Sequence, residues 1–158
     1  MTSAGGNGRF YEDVSVGDQL TPLRKQVDLP HMMAYGAATW DFIRVHYDAD
    51  YVRDLGFPGA FVDGQMLGAF LAQQVQDWAG PGCFLRKLAF RNRVMVYPGD
   101  SLVCGGVVTG LRREGDEEEG PGLAECDLWI ENQRGDRVVE PASAVIQLPL
   151  RTGAGRRQ

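Results

Sequence analysis

The sequence is poor in the residues that most often announce a chemistry. It has two histidines and three cysteines in 158 residues. Cys83, Cys104 and Cys126 are odd in number, stand about 20 residues apart and form no Cys-x-x-Cys, which excludes the usual zinc and dithiol redox frameworks. Free, buried thiols in a reducing cytoplasm are the expectation. Long apolar runs are absent as well. The longest stretch, Met66 to Ala72, falls far short of the roughly 18 residues that a membrane-spanning helix needs. The first seven residues carry no cationic segment leading into an apolar one, so no secretory signal is visible and a cytoplasmic location is expected. Positive charge is also in deficit. With 16 basic and 21 acidic residues the net charge is −5, which does not suit a nucleic-acid binder.

What is present is an ordinary globular mixture, 44% hydrophobic and 23% charged, enough to fill one core at this length. We expect flexible polar tails at 1–8 and 151–158 and a single domain over 9–150. The acidic run Glu114, Asp116, Glu117, Glu118 and Glu119 is flanked by glycines. It reads as a solvated hairpin loop and lacks the ligand spacing of a calcium site.

The domain changes style part-way. From Pro30 to about Ala79 it reads as helical, and from Cys83 to Leu150 as strands. Phe84, Leu88, Phe90, Val94 and Val96 alternate with Lys87, Arg91 and Arg93, the period of a half-buried strand. Pro98-Gly99-Asp100 marks a turn, and further strands are predicted over 101–111, 123–132 and 137–148, with another over 18–28. The connections are too short for helical crossovers, so the sheet should be antiparallel. Between the two parts, Gly64 to Ala72 has almost no polar face, and a helix that is apolar nearly all round must be buried nearly all round. A domain this small achieves that if the sheet curls round the helix. Gly68, Ala69 and Ala72 would let the strands approach, and Asp63 is a good N-cap.

One constellation could carry chemistry. His31 follows Pro30 at a helix start and reads as a surface or capping residue. His46 lies in Thr39-Trp40-Asp41-Phe42-Ile43-Arg44-Val45-His46-Tyr47-Asp48, where a helix should give way to irregular chain. On spacing alone, Asp41 capping a turn and His46 satisfied in the core is an adequate account. Two further features add to it. Phe57 to Gly64, an apolar loop containing Phe61 and Val62, runs into the buried helix. The first N–H groups of that helix have no intrahelical partners, and its dipole favours developing negative charge. A carboxylate, an imidazole and a helix N-terminus around one carbonyl are the parts needed to add water to a conjugated double bond, or to remove it.

These residues carry a resemblance. Asp41-Phe42-x-x-x-His46-x-Asp48, Leu55-Gly56-Phe57-Pro58 and Phe61-Val62-Asp63-Gly64 resemble the MaoC-like hydratases and dehydratases. Arg9-Phe10-Tyr11-Glu12-Asp13-x-x-x-Gly17-Asp18 and Val96-Tyr97-Pro98-Gly99-Asp100 are similar to that family too, so that the likeness covers roughly residues 9 to 149. Asp77-Trp78-Ala79-Gly80-Pro81 looks closest to small hydratase subunits acting on steroid side-chain enoyl-CoA thioesters. The resemblance implies an α+β hot-dog domain, an antiparallel sheet wrapped round a long helix over 64–78. It implies as substrate a 2-enoyl or 3-hydroxyacyl thioester of coenzyme A or acyl carrier protein. Asp41 and His46 would activate the water and exchange the α-proton, and the Gly64 N–H would polarise the thioester carbonyl. No metal and no redox cofactor would be required, because the carbonyl is the electron sink. The resemblance also implies a homodimer, or a heteromer with a second MaoC-like chain.

Two positions depart from the family pattern. Ile43-Arg44 stand where Asn-Pro is usual, and Arg44 could alter substrate fit or contact a phosphate. Asp63 stands where a His usually precedes the glycine. It either only caps the helix or adds a second carboxylate that would favour protonated His46. Phe61 and Val62 would line the acyl site. Arg91, in the cluster Arg86, Lys87, Arg91 and Arg93, belongs either to an outward solvated face or to a site for carrier phosphates. Trp40, Trp78 and Trp129 read as core or interface anchors. Two alternatives stay open beside the hydro-lyase. One is a hot-dog thioesterase with Asp63 as base. The other is a non-catalytic hot-dog subunit shaping a partner's acyl pocket.

Overall fold

The computed structural model describes residues 8–114 and 120–151. The expected tails therefore lie outside the described residues except for Gly8 and Arg151, and so does the acidic run except for Glu114. Gly8 is followed by Arg9, whose N–H donates to the Ala79 carbonyl, and the Arg151 N–H donates to Glu12, so both described ends are tied to the domain.

The central element is α3, Gly64–Ala79. Its buried face is Met66, Leu67, Gly68, Leu71, Gln74, Val75, Trp78 and Ala79, while Gln65, Gln73, Gln76 and Asp77 face solvent. It rests against four of the five strands, β2 (Phe84–Asn92), β3 (Ser101–Arg113), β4 (Gly122–Asn132) and β5 (Arg137–Leu148). With β1 (Leu23–Gln26) these form one antiparallel sheet in the order β1-β3-β4-β5-β2, curled about the helix as expected. Leu71 of the helix and Cys104, Ile130 and Ile146 of the sheet are fully enclosed in the shared core. Gly68 marks a close approach, since a Cβ there would run into the Phe90 ring of β2.

Three expectations on the elements change. The helical part is three helices, α1 (Leu29–Thr39), α2 (Ala49–Asp54) and α3, with a 3-10 turn at Arg44–His46. The strand predicted over 18–28 is regular only at Leu23–Gln26, because Pro22 has no N–H for the ladder; upstream a single bridge joins Gln19 to Val107. In β2 the parity slips: Phe84 faces out, 63% exposed, while Leu85 packs on the core. A register shift between Leu85 and Lys87 inserts one residue and reverses the faces. His31 behaves as expected, for Asp28 caps α1 by accepting from its N–H at 2.8 Å. Trp78 is a core residue and Trp129 is half-buried, but Trp40 is 83% exposed and anchors no core.

Candidate active site

Asp41 is placed by the end of α1. Trp40 closes that helix in the left-handed region, φ 61°, and turns the chain so that the Asp41 N–H donates to the Gly36 carbonyl at 2.9 Å. The Asp41 carboxylate then accepts from the Ile43 N–H at 3.2 Å, which fixes the side chain in a local turn.

His46 ends the 3-10 turn and is gripped by the loop before α3. Its Nδ1 lies 2.8 Å from the Phe61 carbonyl, and the Phe61 N–H donates to the Val45 carbonyl at 3.2 Å. The two rings meet edge to face at 5.6 Å. A carbonyl only accepts, so Nδ1 carries the hydrogen and Nε2 is the nitrogen left for the site. The same loop is pinned by the Val62 N–H on the Val96 carbonyl at 2.8 Å.

Asp63 caps α3, its carboxylate accepting from the Gln65 N–H at 2.8 Å. It also closes the group. Asp41, His46 and Asp63 each bring one polar atom within 4.8 Å of the others, the one such His/Cys/Asp/Glu group among the described residues. A cation there would meet Nε2 and two carboxylate oxygens, because Nδ1 is already engaged. Tyr35 of α1 belongs to the same neighbourhood. Burial, then the charges of Asp63 and Asp41, pushes its phenol above the ordinary tyrosine value.

A cavity of about 320 Å³ opens at this point, lined by His46, Phe61, Val62, Asp63 and Gly64 on one side and by Leu67 and the 92–96 segment on the other. The Gly64 N–H has no partner among the described residues. The structure thus brings together Asp41, His46, Phe61, Val62, Asp63 and Gly64. Two predicted site residues stand apart. Arg44 turns to Asp48, with Nη2 2.8 Å from the carboxylate, and lies over the Tyr51 ring. Arg91 lines a separate depression of the sheet beside Asp127 and Ser143. Conversely, Asn92 and Arg93 line the cavity, and neither was singled out from the sequence as lying there. A second register shift, between Phe90 and Asn92, brings them round, and alternation alone gives no sign of it.

No protein-family model matches the chain. It is 28% identical over 136 residues to the 3-oxo-4,17-pregnadiene-20-carboxyl-CoA hydratase beta subunit of Mycobacterium tuberculosis, covering 86% of this chain and 96% of that one. An (R)-hydratase of A. caviae involved in PHA biosynthesis is 25% identical with a TM-score of 0.77, covering 87% of this chain and 99% of its own. The chain has a hot-dog fold and is similar to MaoC-like hydratases. A chain of the ChsH1-ChsH2 complex from Mycobacterium tuberculosis is 27% identical, with a TM-score of 0.73 over 85% of this chain and 98% of that chain. Among the described residues no helix is long and apolar enough to cross a membrane.

Proposed function

We propose that the chain is a hydro-lyase that adds water to a 2-enoyl thioester of coenzyme A or acyl carrier protein, or removes it from the 3-hydroxyacyl form. The observation that carries this reading is the meeting of Asp41 and His46 at the N-terminus of α3, with one imidazole nitrogen tied to Phe61 and the other left free. In the hydration direction the water oxygen bonds to the β-carbon while Nε2 of His46, with Asp41, takes a water proton. The electron pair of the double bond moves onto the thioester oxygen, which the Gly64 N–H and the helix dipole stabilise as an enolate. The proton is returned at the α-carbon, so atoms and charge balance without a further reactant.

Enoyl-thioester absorbance across acyl chains from crotonyl to steroid-sized is the direct test. Loss of the conjugated absorbance without free thiol is expected; free thiol would point instead to thioester hydrolysis with Asp63 as base. One observation favours a variant of the reading. The relative at 28% identity is named a beta subunit, and a similar solved structure is a two-chain complex. Activity that appears only when a second MaoC-like chain is added would make this chain one subunit of a heteromeric hydratase.

A further inference from the structure

Apart from Arg93, whose Nε donates to the Glu140 carbonyl, the second side of the cavity is apolar except at its edge. Leu67, Val94, Met95 and Val96 line it, and at the last residue of β2 stands Asn92. Asparagine is poorly suited to a strand, and here it follows the register shift between Phe90 and Asn92 that leaves it opposite Val139. Bulges of this kind re-aim a side chain, and this one aims a carboxamide at the start of α3. The amide nitrogen of Asn92 occupies the space that a Cβ on Gly64 would need, while its oxygen lies 4.0 Å from the same point. Glycine at 64 is therefore what admits the amide. Neither the Asn92 side chain nor the Gly64 N–H has a hydrogen-bond partner among the described residues. Two unpaired donors thus meet at the start of α3, in a cavity that His46 and Asp63 also line.

We propose that Asn92 supplies a second hydrogen bond to the substrate carbonyl oxygen, beside the Gly64 N–H. The proposal rests on the thioester reading given above. A single backbone N–H is a weak trap for an enolate oxygen. A side-chain amide carried beside the helix start by the last residue of β2 adds a second donor where charge develops, and removal of one such donor typically costs roughly 10²–10³ in kcat.

The test uses 4-(dimethylamino)cinnamoyl-CoA, whose absorption moves to the red as its carbonyl is polarised, together with turnover of a good enoyl-CoA. Wild type should bind the probe with a red shift. Asn92→Ala and the near-isosteric Asn92→Leu should bind it with a smaller shift and lose about 10²-fold in kcat with KM little changed. Asn92→Gln, which keeps the amide on a longer stem, should recover part of both. Asn92 is exposed, so unchanged melting temperatures are expected and one misfolded variant leaves the other two. A full red shift and near-normal kcat in Asn92→Ala and Asn92→Leu would overturn the role of Asn92 and leave the hydratase reading standing. A wild-type chain that neither binds the probe nor hydrates any thioester, alone or with a second MaoC-like chain, would overturn both.

Discussion

His46 has one nitrogen spent on structure and one free, and that asymmetry is what separates a base from a core histidine. If Asp41 and His46 act on one water, Asp41→Asn and His46→Gln should each lower kcat by roughly 10²-fold or more in a thioester assay. The double variant should be little worse than either, because residues that work as a unit are lost as a unit. Near-normal turnover in either single variant would return both residues to local structure, where Asp41 already serves the Ile43 N–H. Trp40 is the other residue whose backbone asks for a reason. It is the one non-glycine residue in the left-handed region among the described residues, and its indole is 83% exposed. An L-residue pays about 1–2 kcal/mol for that conformation and glycine pays nothing. Trp40→Gly should therefore keep or raise the melting temperature, while Trp40→Val, with a β-branched side chain in the same place, should lower it. Calorimetry of the two variants separates backbone strain from loss of the ring.

Among the elements, α2 shows how a short helix is held. Asp48 accepts from the Tyr51 N–H at its start and from Arg44 across its open side. The Tyr51 N–H first, and Arg44 second, hold the Asp48 carboxyl below its ordinary value. Its stabilising contribution is thus complete above the unfolded value near pH 4 and is lost as pH falls through the lower folded value. Asp48→Asn should flatten the acid limb of the stability curve in that window, and Asp48→Ala should also lower the melting temperature at neutral pH by removing the cap. Arg44 could not be assigned to this role from its place in the motif alone, since a cation beside the pair is equally able to face a phosphate. The strong periodicities were legible: 137–148 as a strand and the helix beginning at Gly64 stand where the sequence puts them. So were the residues on the first side of the cavity, because they follow one another into a helix start. What the alternation could not carry was β2. Its two register shifts exchange faces at Phe84 and bring Asn92 and Arg93 to the cavity, and a shift of register depends on the partner strand, not on local sequence.

At the scale of the molecule the sheet has two cores of information, its sealed centre and its open edge. In the centre, burial pushes the thiols of Cys104 and Cys126 up to about 12. Alkylation by iodoacetamide at pH 8 should spare both until the chain unfolds, since the thiolate is the nucleophile. The edge is less settled. Among the described residues β2 pairs with β5 alone, which leaves one side of a nine-residue strand without a ladder partner there, with Phe84 exposed at its start. Soluble proteins cover or pair such edges. The far end of the same strand is Asn92, at the cavity, so a chain docked along the whole of β2 would reach the site. Such docking would link assembly to activity. Light scattering at micromolar concentration should give about twice the mass of one chain, or the mass of a complex when a second MaoC-like chain is supplied. Phe84→Glu, which puts a charge on the edge without touching the cavity lining, should lower both the mass and the turnover. Asp41→Asn should lower turnover and leave the mass alone. A stable, fully active monomer in Phe84→Glu would uncouple the two and leave the edge without a partner.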